Sequence, residues 1–395
     1  MGGPMPDDGT SYDVVVVGAR CAGAATAMLL AREGLRVLVV DRGRYGTDTL
    51  STHALMRGAV LQLAHWGLLA PLAAAGTPVV RTTSFHYAER EVRVLIKPSD
   101  AVAGLYAPRR ILLDRVLADA ARAAGAELVY GVRVSDLSRG RGDRVTGVVL
   151  EDGDGHHSRV FCDLVVGADG VHSTVARLAG AEASLSGRHA SGVVYGYFAG
   201  LPNDGYHWHF RPGASVGRIP TNDGLTCVFA GTSAQRFQAE VSRDVAGGFD
   251  RLLAEVDPPL STAVRGARRC GGFRGSAGHV GFLRRPCGPG FALVGDAACF
   301  KDPITAHGIT DALRDAELLA EAAAEGTEAA FARYHEARDA CVRGILELSD
   351  RIASCAWSLE ALEAMHLALS DEMKREVAFL RGRHAAARTP ARLSA

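Results

Sequence analysis

The segment Asp13-Val-Val-Val-Val-Gly-Ala-Arg-Cys-Ala-Gly-Ala-Ala-Thr-Ala-Met-Leu-Leu-Ala-Arg32, followed by Leu35-Arg-Val-Leu-Val-Val-Asp41, restricts most strongly what this chain can fold into. Val14 to Val17 is a short β-branched apolar run and reads as a buried strand. Gly18 breaks it with a tight turn, and Gly23 falls where a helix must pack close to that strand. Ala22 to Arg32, rich in Ala and Leu, reads as the helix. Leu35 to Val40 reads as a second strand with Asp41 at its tip. A strand–helix–strand unit ending in an acid is the layout that binds an ADP moiety. The helix N-terminus offers unpaired N–H groups and partial positive charge to a pyrophosphate, and Asp41 accepts from a ribose hydroxyl. The fingerprint wants a middle glycine, and this chain has Arg20 there. Arg20 therefore points away from the phosphates or reaches over them as a cation. Cys21 reads as a small loop filler, and Arg42, next after Asp41, is counted with the nucleotide contacts.

The remaining composition narrows the class. A chain of 395 residues suggests two domains or one large discontinuous one, and 48% hydrophobic content is ample for a sizeable core. A formal net charge of zero argues against nucleic acid as a partner. Residues 1 to 11, rich in Gly, Pro and Asp, read as disordered and not as a signal peptide. No apolar run is long enough to span a bilayer. The eight cysteines lack paired spacing, which implies reduced thiols in a cytoplasmic protein, without disulfides or zinc. No metal site is expected.

Along the chain, Ser51 or Thr52 is placed to cap a helix running to Trp66. Thr82 to Tyr87 and Glu91 to Lys97 read as a hairpin. A helix begins after Pro108 in Arg109-Arg-Ile-Leu-Leu-Asp-Arg-Val-Leu117. Glu127 to Tyr130, Val132 to Leu137 and Arg144 to Leu150 read as strands. Asp163-Leu-Val-Val-Gly-Ala-Asp-Gly170 is a buried strand ending in a polar turn. Residues 189 to 231 alternate like strands and carry Tyr195, Tyr197, Phe198, Tyr206, Trp208 and Phe210. Residues 233 to 266 return to helical spacing. Phe291 to Val294 is a strand, Gly295-Asp296 ends it, a loop carries Lys301, Asp302 and Pro303, and a helix starts near Gly308. Residues 327 to 382 are helical in pattern, and Arg383 onward reads as a frayed tail.

Three elements in this order resemble the FAD-dependent monooxygenases of the aromatic-hydroxylase type, relatives of the geranylgeranyl reductases and flavin halogenases. They are the glycine loop with Asp41, the Gly167-Ala-Asp169-Gly170 turn, and Gly295-Asp296 followed by Pro303 and Gly308. The resemblance covers roughly residues 12 to 325. It implies an α/β fold with an α+β second layer: a Rossmann-like FAD-binding domain from 12–80, 100–185 and 280–325, an inserted antiparallel-sheet substrate domain from 81–99 and 186–279, and a C-terminal helical region from 326–395. By the same resemblance Gly18, Arg20, Cys21, Ala22 and Gly23 meet the pyrophosphate, and Asp41 and Arg42 the adenosine. Arg110, with Arg109 as the alternative, lies near the flavin. Asp169 and Gly170 make the second dinucleotide contact. Gly295 and Asp296 face the ribityl chain, and Pro303, Gly308 and Ile309 lie against the isoalloxazine.

Two departures stand out. The family loop has Gly-Gln-Gly, where this chain has Ala306-His307-Gly308, which makes His307 a catalytic candidate beside a structural alternative. Lys301 and Asp302 are read either as a surface ion pair or as charges beside the ring. Tyr206-His-Trp-His-Phe-Arg-Pro212 is similar to the Tyr-x-Trp-x-Phe-Pro of geranylgeranyl reductases, with Arg211 inserted. Tyr195, Tyr206, Trp208 and Phe210 are then substrate-wall candidates, or else core packing. The resemblance implies a monooxygenase that hydroxylates an apolar or aromatic small molecule with dioxygen, through a flavin C4a-hydroperoxide. The alternatives are reduction of a prenyl double bond and halogenation, for which Lys97 is the candidate lysine. Electrons come from NADPH or NADH, or from a partner flavin reductase. A monomer or homodimer is expected.

Overall fold

The computed structural model describes residues 3–100 and 102–388. Its central sheet is ordered, from one edge, Cys287–Gly288, Phe291–Leu293, His157–Gly167, Ser11–Val17, Val37–Asp41 and Glu127–Tyr130. From Phe291–Leu293 onward these strands are parallel, with Val14 beside Val37 and Leu164, and Val17 beside Val40 and Gly167. Val145–Glu151 and Arg133–Arg139 extend the far part of His157–Gly167 as an antiparallel meander.

The valine runs explain this layer. Val14, Val16, Val37 and Val39 enter one apolar core, while Val15, Val17, Leu38 and Val40 enter another. Successive side chains point to opposite faces, so a sheet covered on both sides demands an unbroken apolar run. The first core is closed by the helices Cys21–Arg32, Arg110–Ala123 and Gly308–Glu325, the latter two packing against the first.

A second sheet of seven strands is ordered Arg268–Ser276, Ser191–Ala199, Leu225–Ser233, Ala214–Pro220, Tyr206–Arg211, Thr82–Tyr87 and Arg90–Leu95. Thr82–Tyr87 and Arg90–Leu95 form the expected hairpin. A small three-stranded sheet joins Cys299–Phe300, Phe282–Arg284 and Ala183–Ser186. Helices Glu328–Ala353 and Leu359–Arg388 follow, and Ile345, Ile352, Leu362 and Met365 pack on Tyr87 and Phe210 of the second sheet.

Three local expectations are corrected. The helix Arg57–His65 starts after Met56 without a side-chain cap, and Ser51 Oγ instead accepts from His53 N. Residues 3–10 are anchored: Gly3 N donates to Leu128 O, and Ser158 Oγ to Pro6 O. The expected frayed tail is helical to Arg388, and His384 is buried with Nε2 3.1 Å from Glu317 Oε2. Residues 389–395 of that tail lie outside the described residues.

Candidate active site

The glycine loop works through absent side chains. Gly18 has φ +107, and a Cβ there would lie 2.5 Å from Ala168 O. A Cβ on Gly23 would lie 1.8 Å from Gly18 O, so only glycine allows the helix to start this close to the strand end. Asp41 holds the other side of the cleft. Its Oδ2 accepts from Ala19 N at 2.7 Å and its Oδ1 from Gly43 N at 2.7 Å. An ionised carboxylate has about four lone-pair sites, so capacity remains for a ribose hydroxyl. Ala19, Arg20, Arg44, Tyr45, Asp114 and Tyr130 line this cleft with Asp41. Arg42 is not among the lining residues.

Arg20 takes the second of its two expected courses only in part: its side chain runs along the cleft to Asp114, 3.3 Å away, and stays partly exposed. Asp114, which sequence reasoning passed over, ties three elements together. It pairs with Arg110 at 2.9 Å, and Cys21 Sγ donates to its Oδ1 at 3.1 Å. Burial pushes the Cys21 thiol well up, which keeps it protonated and fits the filler role. The signal for Asp114 was the i,i+4 spacing from Arg110. Arg109 points elsewhere: it pairs with Asp48 at 3.1 Å and lies 4.0 Å over the Tyr197 ring.

Asp169 accepts from Ser173 Oγ at 2.5 Å and Thr174 N at 2.6 Å, and so supports the start of helix Thr174–Leu178, whose N-cap is Ser173. Burial raises its carboxyl above the ordinary range. Gly170 turns the chain there with φ +82.

Asp296 is different. It has no hydrogen-bond partner among the described residues, and Gly308, the first residue of helix Gly308–Glu325, would carry a Cβ 3.7 Å from its Oδ1. Burial and then the charge of Asp311 push its carboxyl up to about 6, while Arg110 and Lys301 pull the other way. Pro303 and Gly308 are exposed and Ile309 half-buried, so this loop presents a face to solvent. Ala306 sits at φ +52, a left-handed conformation that favours the glycine of the family loop.

Beneath the loop is a buried ionic network that sequence reasoning did not see as one unit. Lys301 Nζ lies 2.5 Å from Asp311 Oδ2 as an ion pair, with both side chains essentially buried. Arg314 binds Asp311 at 2.7 Å, Asp315 at 2.8 Å, and Glu376. His307 Nε2 lies 2.7 Å from Glu376 Oε2. Against burial, which would raise it, Lys301 and Arg314 hold the Asp311 carboxyl below the usual range. Asp302 is apart from this network, accepting from Ser191 N and Oγ at 2.6 Å each and from Ile304 N at 3.0 Å.

The aromatic candidates form one row. Tyr206, Trp208 and Phe210 alternate along their strand and face Thr83, Phe85 and Tyr87 on the next. Tyr206 and Tyr195 are in the first core, and Trp208, Ala306 and Ile309 pack against it. Tyr195 Oη accepts from Ser51 N at 3.0 Å, and Tyr197 Oη lies 3.1 Å from His53 Nε2. Phe210 lies further along, under the C-terminal helices.

The three turns that sequence reasoning singled out touch directly. Gly18 abuts Ala168, the neighbour of Asp169. A Cβ on Gly295 would be 3.0 Å from that of Ala22, and Gly295 N is fixed by Asp315 Oδ2 at 3.0 Å. Residues 11–260 match the FAD binding domain family. The chain belongs to that family. It is an FAD-dependent oxidoreductase. A relative from Methanothermobacter thermautotrophicus, digeranylgeranylglycerophospholipid reductase 2, is 30% identical over 323 residues, 80% of this chain and 79% of its own. PqsL of Pseudomonas aeruginosa, a probable FAD-dependent monooxygenase, superposes with a TM-score of 0.78 at 22% identity, covering 90% of this chain and 100% of that one. The flavin-dependent brominase Bmp2 superposes with a TM-score of 0.77 at 20% identity, covering 93% of both. The residues fit the cofactor. The glycine cradle would be filled by any Cβ, and the acids at the two ends, Asp41 and Asp296, keep free acceptor capacity. No described helix is long and apolar enough to cross a membrane.

Proposed function

We propose that the chain is a monooxygenase acting on an apolar small molecule held against Tyr206 and Trp208. One observation carries this reading: Tyr206 and Trp208 share one apolar cluster with Ala306 and Ile309 of the loop before helix Gly308–Glu325. Bound FAD, once reduced by the external electron donor, would supply the two electrons that activate dioxygen. The protein's own residues do the rest. Gly18, Ala22 and Gly23 leave room for the pyrophosphate at the first turn of Cys21–Arg32, with Arg20 at the rim. Asp41 takes the ribose, and Asp296 accepts from the ribityl hydroxyls. The N-terminus of Gly308–Glu325 favours negative charge at the facing ring edge. The aromatic row keeps water away from the reacting carbon. Lys301 and His307 act as positioning residues that fix the loop through Asp311 and Glu376, and Asp302 fixes it to Ser191.

Electrons arrive from NADPH or NADH, or from a partner flavin reductase. Mixing the holoprotein anaerobically with each nucleotide separates these: bleaching of the flavin absorbance by the nucleotide alone supports direct reduction. The test of the main reading is transfer of label from ¹⁸O₂ into an apolar aromatic substrate. Hydrogen peroxide release without labelled product, across a panel of such substrates, contradicts it.

A second reading, reduction of a prenyl carbon–carbon double bond, is favoured by the relative that is 30% identical and by the Tyr206-x-Trp208-x-Phe210 row. Product formed from a polyprenyl substrate under nitrogen would select it. Halogenation has less support, because Lys97 is exposed at the sheet edge.

A further inference from the structure

We propose that His86, His207 and His209 form a binding site for a divalent metal ion of the zinc class, on the face of the second sheet opposite the aromatic row. Strand register puts them there. Tyr206–Arg211 runs parallel to Thr82–Tyr87 with His209 beside His86 and His207 beside Ser84. Period-two alternation then sends Tyr206, Trp208 and Phe210 to one face and both histidines to the other. The His86 and His209 rings stack with centroids 4.0 Å apart, so a shared ion turns one ring out of the stack to bring both in-plane lone pairs onto it. One ring nitrogen from each of the three lies within 4.8 Å of the other two. His86 Nε2 and His207 Nδ1 are 3.2 Å apart. Two nitrogens bound to one tetrahedral zinc at about 2.0–2.1 Å are separated by roughly 3.4 Å, so the spacing of this pair matches, and the ion would replace the proton of the hydrogen bond that now joins them.

The partners of the remaining ring nitrogens are what distinguish this cluster from a chance grouping. His209 Nδ1 lies 3.1 Å from Asp257 Oδ2, and His207 Nε2 lies 3.2 Å from Asp204 Oδ1. A carboxylate accepting from one nitrogen fixes the tautomer and turns the lone pair of the other inward, the arrangement that supports metal-bound histidines. His209 Nε2 is that inward nitrogen, and it is buried with no hydrogen-bond partner. Arg218, opposite His207 on the neighbouring strand, is occupied by both oxygens of Asp204 at 2.5 and 2.9 Å. Glu91, paired with His86 across the hairpin, adds a further negative charge. Three imidazole nitrogens suit zinc or cobalt better than calcium or magnesium, which prefer oxygen. The buried group His307, Asp311 and Glu376 does not compete, since Lys301 and Arg314 already supply its cations. Cysteine spacing gives no sign of this site, because the three histidines come together only through strand pairing.

The test uses holoprotein stripped with a chelator, dialysed, and titrated with zinc chloride and with cobalt chloride. One equivalent of zinc should bind and raise the unfolding temperature. His86→Gln and His209→Gln should each weaken zinc at least about 10-fold while keeping full FAD uptake. The cobalt form of the unaltered protein should show tetrahedral d–d bands without a thiolate charge-transfer band. This readout does not depend on the variants folding. Absence of zinc uptake, uptake unchanged in the folded variants, or a thiolate band tracing the metal to the cysteines overturns the proposal.

Discussion

His307 and Glu376 are 69 residues apart in the chain, yet His307 Nε2 lies 2.7 Å from Glu376 Oε2, in the interior. The contact ties the C-terminal helix Leu359–Arg388 to the residue preceding helix Gly308–Glu325. The same carboxylate reaches Arg314, so the loop before helix Gly308–Glu325 rests on the C-terminal helix. Removing one partner from a buried ionic group strands the others, at about 3–5 kcal/mol. Glu376→Ala should therefore lower the unfolding free energy by about that amount. Urea denaturation monitored by circular dichroism checks it, and FAD should dissociate before global unfolding.

The glycine cradle gives a sharper prediction. A methyl on Gly23 would collide with the Gly18 carbonyl, a backbone atom with nowhere to go. Gly23→Ala should separate helix from strand and lower FAD affinity at least roughly 100-fold, a loss of about 3 kcal/mol. Equilibrium fluorescence titration with FAD reads this directly.

Asp296 gives a pH-dependent prediction. Its folded carboxyl, near 6, exceeds the ordinary value of 3.8, so the folded apoprotein binds more protons than the unfolded chain in that interval. Ionising it therefore costs stability, and the cost grows as pH rises from about 4 and is complete above about 6. Asp296→Asn should stabilise the apoprotein by ~1–3 kcal/mol at about pH 8 and by less at about pH 5. The same change should weaken FAD roughly 10–100-fold, because a charged acceptor for the ribityl chain is gone. Thermal unfolding at the two pH values, with and without FAD, measures both effects.

Ala306 holds a left-handed φ of +52 at the turn before His307. A non-glycine residue there costs about 1–2 kcal/mol, partly offset by the greater freedom glycine brings to the unfolded chain, about 0.4–1 kcal/mol. Ala306→Gly should stabilise the protein by up to about 1 kcal/mol. Denaturant midpoints compared at equal slope would show it.

What was legible in the sequence was local. Val14–Val17, Gly18 and Gly23 announce a strand, a turn and a closely packed helix, because backbone sterics act over a few residues. The aromatic alternation from Tyr206 to Phe210 likewise gave the strand and its two faces. What was not legible depended on distant partners. Asp311, Arg314 and Asp315 lie in one helix, and the fold buries all three and answers them with Lys301, Glu376 and backbone. The signal was a D-x-x-R-D run inside a helix with too few positions left for solvent. His384 read as tail because its partner Glu317 lies 67 residues away. Residues 3–10 read as disordered by composition, but main-chain bonds to the sheet edge need no particular side chain.

Three turns, at Gly18–Gly23, Asp169–Gly170 and Gly295–Asp296, are expected to close on one FAD. Titrating stripped protein with FAD, and following flavin fluorescence to saturation, tests it most directly. One equivalent per chain is expected for the unaltered protein, with binding weakened by Gly23→Ala and by Asp296→Asn. Protein that takes up no FAD, or binds it equally well with both turns altered, contradicts the account.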